Sequence, residues 1–105
     1  MLGLTIFVNA QNIEKSVVLS GRIYDSTGWM MSDVKITVTN KQKEKIQVTT
    51  DSEGIYQLKL LPGIHKIVIE SAKFKKVVLK KFKVEQTVDS KMNQDFVLGD
   101  SVTVN

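Results

Sequence analysis

The stretch VVLSGRIYDSTGWMMSDVKITV, residues 17–38, decides the fold class. Leu19, Gly21 and Ile23 alternate with Ser20, Arg22 and Tyr24, so residues 17–24 read as a strand with one face turned to a core. Asp25-Ser26-Thr27-Gly28 then breaks the pattern, with Gly28 where a positive φ costs little. Beyond it Val34, Ile36 and Val38 alternate with Lys35, Thr37 and Thr39, and the same period of two predicts a second strand. Two half-buried strands joined by a turn rich in Asp, Ser and Gly belong to an all-β protein.

The rest of the chain repeats this grammar. Ile46 and Val48 start a third strand, which stops at Asp51-Ser52-Glu53-Gly54. Ile55 to Leu60 follows with Tyr56, Leu58 and Leu60 on one face, and the strand–turn–strand spacing predicts a hairpin. Pro62-Gly63 is the next break, after which Ile67 and Ile69 share a face with His65. Residues 76–84 are strand-like, but Val77 and Leu79 have one parity while Phe82 and Val84 have the other. A bulge near Lys80-Lys81 accounts for that slip. Met92, Phe96 and Leu98 predict a last strand, in which Gln94 is a polar exception of the same parity. Seven short strands at this spacing predict a seven-stranded Greek-key β-sandwich.

Four segments also carry a family likeness. Leu19–Asp25 with Gly28 and Asp33–Val38 resembles the opening of a carboxypeptidase regulatory-like domain. Thr49–Leu58 resembles that family's T-D-x-x-G-x-aromatic segment, and Leu61–Ile69 its P-G-x-Y-x-aliphatic strand. Lys73-Phe74 stands where a Gly-aromatic pair is usual in the family, and His65 stands where it has Tyr. The resemblance spans residues 17–98 and implies a transthyretin-like (prealbumin-like) sandwich without an active site of its own. Such modules are appended to secreted peptidases, surface adhesins and the N-terminal side of TonB-dependent outer-membrane receptors. The tail Phe96–Val104 is similar to the exit from a receptor module of that kind.

Composition bounds the function. With 105 residues, 42% hydrophobic and 25% charged, the chain suits one core-forming domain. It has no cysteine, which excludes disulfides, thiolate metal sites and a cysteine nucleophile. The net charge of +4 rests on lysine, Arg22 being the single arginine, which argues against a nucleic-acid partner. Residues 1–10, MLGLTIFVNA, form a short apolar run ending in small residues, as in a secretory signal, though no basic residue precedes it. The alternative is an extra edge strand. Residues 11–16 read as a linker, 17–98 as the sandwich and 99–105 as a C-terminal tail, with an extracytoplasmic location expected.

Candidate sites follow from single residues. His65 is the only histidine and no nucleophile-elbow motif accompanies it, so no catalytic or cofactor site is expected. Alternating loops place Asp25, Asp33, Asp51 and Glu53 at one end of the sandwich. Asp25, Asp51 and Glu53 are candidate ligands for a hard cation, against the simpler reading that the aspartates hold their own turns. Trp29 and Met30 lie in the same loop, and Phe74 is expected at the same end. They form a candidate surface for a protein or a sugar ring, the competing and preferred reading being that Trp29 folds back to cap the sandwich. Lys73, Lys75, Lys76, Lys80, Lys81 and Lys83 make a basic patch, read first as a guard against strand-edge association.

Overall fold

The computed structural model describes residues 15–72, 74 and 76–99. It is an all-β sandwich of eight strands: β1 (Val17–Asp25), β2 (Lys35–Thr39), β3 (Lys45–Thr49), β4 (Ile55–Leu60), β5 (Gly63–Glu70), β6 (Val77–Val84), β7 (Lys91–Asn93) and β8 (Phe96–Leu98). One sheet has β1 at its centre, antiparallel to β4 on one side and parallel to β7 and β8 on the other. The second has the order β3-β2-β5-β6, antiparallel throughout.

Alternation builds the core between them. Val17, Leu19 and Ile23 of β1 and Tyr56, Leu58 and Leu60 of β4 face Ile36 and Val38 of β2 and Ile67 and Ile69 of β5. Val34, Val84 and Leu98 complete the buried set. Each fully buried aliphatic side chain contributes about 1.5–3 kcal/mol relative to its exposed state.

Two expectations are corrected. The count is eight, not seven, because the last predicted strand is broken into β7 and β8 at Gln94-Asp95. There Gln94 N–H still donates to the Ser20 carbonyl at 2.8 Å, but Arg22 N–H takes the Asp95 carboxylate at 2.8 Å in place of a ladder carbonyl. The Gln94 carbonyl instead turns inward and accepts from the buried Tyr56 hydroxyl. Residues 46–60 do not form a hairpin: β3 pairs with β2 and β4 with β1, so the 51–54 turn carries the chain from one sheet to the other. The same Asp-x-x-Gly turn chemistry serves both connections.

The bulge at Lys80-Lys81 is present. His65 pairs with Phe82 and Ile67 with Leu79, so two residues of β6 oppose Lys66. The extra residue lets Val77, Leu79, Phe82 and Val84 all reach the core side while both lysines stay exposed. β6 is an edge strand, and lysines and a bulge there discourage pairing with another sheet.

Candidate functional site

Three connections share one end of the sandwich: residues 26–34 between β1 and β2, residues 50–54 between β3 and β4, and the link between β5 and β6. The first is built around Asp25. One of its carboxylate oxygens accepts from Thr27 N–H (2.9 Å), the Thr27 hydroxyl (2.7 Å) and Trp29 N–H (3.0 Å). Asp25 N–H donates to the Trp29 carbonyl at 2.9 Å, and Met30 bridges to Tyr24.

The second connection braces the first. Asp51 repeats the device, its carboxylate accepting from Glu53 N–H (2.8 Å) and Ile55 N–H (3.0 Å). Gly54, at φ 78°, packs so closely that a Cβ would meet the Ile23 carbonyl and Met31 nitrogen at 3.0 Å. Thr50 is buried between the loops, its hydroxyl donating to the Met31 carbonyl (2.7 Å) and accepting from Val34 N–H (2.9 Å). Thr50 was not singled out from sequence, although it opens the Thr-Asp segment that resembles the family pattern.

These bonds hold the Trp29 loop by its backbone and leave the indole outside. Trp29 is 71% exposed, so it does not cap the sandwich; Met31, two residues on, packs against the core instead. Met30 is exposed beside it. Phe74 does not join them as a second exposed ring, because it is half-buried against the core. The exposed apolar tip is therefore Trp29 with Met30.

Among the described residues no group of three His, Cys, Asp or Glu side chains is placed to hold a metal ion. Asp25 and Asp51 are occupied by their own turns, and Glu53 faces Arg22 at 3.8 Å. The Thr27 hydroxyl and then the Trp29 amide hold the Asp25 carboxyl below its ordinary value of 3.8. The Ile55 and Glu53 amides do the same for Asp51. Because both folded values are depressed, the order these groups confer is complete above 3.8 and is lost as pH falls through the folded values. Titrating the Trp29 and Glu53 amide resonances by NMR is expected to give midpoints below 3.8, and midpoints at or above that value would contradict the turn geometry.

At the opposite end an open cleft of about 460 Å³ lies between the β2–β3 and β4–β5 connections. His65 borders it, 6% exposed, with its Nε2 2.8 Å from the Leu61 carbonyl. It is a core-facing residue of β5, as expected. Of the sequence-predicted basic patch, Lys76, Lys80, Lys81 and Lys83 are exposed on or beside β6, while Lys73 and Lys75 lie outside the described residues, as do residues 1–10 and most of the tail.

The model of the carboxypeptidase regulatory-like domain matches residues 18–99. No curated protein sequence matches the chain. Among solved structures, chlorocatechol 1,2-dioxygenase from Pseudomonas putida is similar with a TM-score of 0.69 at 13% identity, over 81% of this chain and 60% of that one. Catechol 1,2-dioxygenase from Acinetobacter sp. ADP1 gives 0.64 at 10% identity, over 85% and 54%. Hydroxyquinol 1,2-dioxygenase from Pseudomonas putida DLL-E4 gives 0.66 at 10%, over 86% and 58%. At these identities the likeness concerns the fold alone, and the chain spans little more than half of each of those enzymes.

Proposed function

Since the chain belongs to the carboxypeptidase regulatory-like domain family, we propose that it is a non-catalytic accessory module of an extracytoplasmic or outer-membrane system that docks a protein partner through the Trp29 tip. The observation that carries this reading is the exposure of a large aromatic on a loop fastened at every turn by backbone and side-chain bonds. A loop backbone already held in place loses little further entropy on binding, and tryptophan is enriched among the residues that dominate interfaces. The extracytoplasmic setting is supported by the apolar run of residues 2–8 and by the secreted and outer-membrane proteins to which such domains are appended. Fractionation and intact mass check it: a mature chain beginning near Gln11 outside the cytoplasm is expected, and an uncleaved cytoplasmic chain would contradict it.

A second reading, a carbohydrate-binding module, rests on the same indole, whose face suits a sugar ring. Trp29 is the only tryptophan, so its emission reports on this site directly. Titration with neutral oligosaccharides is expected to leave the emission unchanged under the protein-docking reading, whereas a saturable blue shift would favour sugar. In either case Trp29→Ala is expected to leave stability within about 0.5 kcal/mol of wild type, because the indole is mostly exposed. Its affinity for the bound species should fall by roughly tenfold or more.

A further inference from the structure

The outward face of the β3-β2-β5-β6 sheet gathers lysines that are far apart in sequence. Register places Thr39 between Lys45 on β3 and Lys66 on β5, and Lys66 lies opposite the Lys80-Lys81 bulge. Four strands at ~4.8 Å spacing make this a row of cations ~14 Å long. Beside it lies a shallow depression rimmed by Lys43, Lys45, Lys66 and Lys76, with Thr37, Thr39 and Gln47 among its lining and Glu70 as its single carboxylate. None of those four lysines takes part in the ion pairs of the described residues, which are Arg22–Glu53 and Lys83–Glu85.

We propose that this face binds an acidic polysaccharide, a chain bearing repeated carboxylates. The lysine rim supplies complementary charge, and the threonine hydroxyls and glutamine amide of the floor suit sugar hydroxyls. The lining has no aromatic side chain, and single-stranded nucleic acids are gripped by stacking their bases on aromatics. It also offers no apolar wedge for a bilayer, Val68 being its one aliphatic residue. This surface is separate from the Trp29 tip, so either assignment can fail without the other.

The test uses the full chain and polygalacturonate as probe, with neutral dextran, oligo-dT and phosphatidylglycerol vesicles as comparators. Binding to polygalacturonate is expected, with none to dextran, and it should weaken steeply as salt shortens the screening length from ~10 Å at 0.1 M to ~3 Å at 1 M. Combining Lys45→Gln, Lys66→Gln and Lys76→Gln should weaken it roughly tenfold or more. The melting temperature should not change. Combining Lys15→Gln, Lys59→Gln and Lys91→Gln removes the same charge away from this face and should leave binding within about twofold. Equal loss in both variants, absence of binding, or tighter binding to oligo-dT or to vesicles would overturn the proposal.

Discussion

Gly21→Ala is expected to destabilise the protein by about 3 kcal/mol or more, lowering the melting temperature by roughly 12 °C or more. Gly21 lies in the middle of β1, where a glycine ordinarily weakens a strand. A Cβ there would stand 2.0 Å from the Gln94 carbonyl oxygen and 2.6 Å from its carbon. Both are backbone atoms, so no rotamer change relieves the clash. Either β1 moves away from its partner or the β7–β8 junction is expelled, taking the Tyr56 and Arg22 bonds with it. Thermal or denaturant unfolding measures the loss, and a Gly21→Ala protein as stable as wild type would contradict the packing at this seam.

Tyr56→Ala is the second large effect, expected at about 3–5 kcal/mol for removing a buried aromatic from the core. The ring is 2% exposed and lies 6.1 Å from Phe96 between centroids. Tyr56→Phe separates the hydroxyl from the ring. It keeps the packing but leaves the inward-facing Gln94 carbonyl without its donor, at a cost of about 1–3 kcal/mol. Burial also pushes the Tyr56 hydroxyl well above the ordinary 10.0, with the nearby Asp95 carboxylate adding to the shift, so it remains a proton donor at neutral pH. In a Gly21→Ala background the Tyr56→Phe step should cost less than in wild type, since the two changes break one contact. Equal costs in both backgrounds would show that the seam is not shared.

Much of this architecture was legible in the sequence, for identifiable reasons. Strands β1 and β2 declare themselves because each buries one face, so apolar residues recur with a period of two. The β6 bulge was visible because an inserted residue reverses parity, as Val77 and Leu79 do against Phe82 and Val84. The break at Gln94 was visible only as a polar exception. What cuts the strand is its carbonyl bonding to Tyr56, 38 residues away, through a gap that Gly21 leaves open. The 51–54 turn was misread as a hairpin because Asp51 and Gly54 make the same local bonds whether the chain returns to its own sheet or crosses to the other.

The site was less legible than the fold. Whether Trp29 caps or projects depends on Thr50, which comes from the β3–β4 connection and pins Met31 and Val34 behind the loop. No local pattern around Trp29 encodes that contact. Phe74 faces inward for a similar long-range reason, being packed on a core assembled from other strands. The lysines of the second sheet were read as one run because Lys76, Lys80, Lys81 and Lys83 adjoin in sequence. Lys45 and Lys66 join them only through strand register.

The central claim, that the Trp29 tip is a contact surface, is tested most directly by placing a photo-crosslinking amino acid at position 29 in cells that make the protein. Position 57, on an exposed residue of β4, serves as the control. A discrete adduct of fixed mass from position 29, absent from position 57 and competed away by the unlabelled wild-type chain, is the predicted result. No adduct from position 29, or the same adduct from both positions, would contradict the claim.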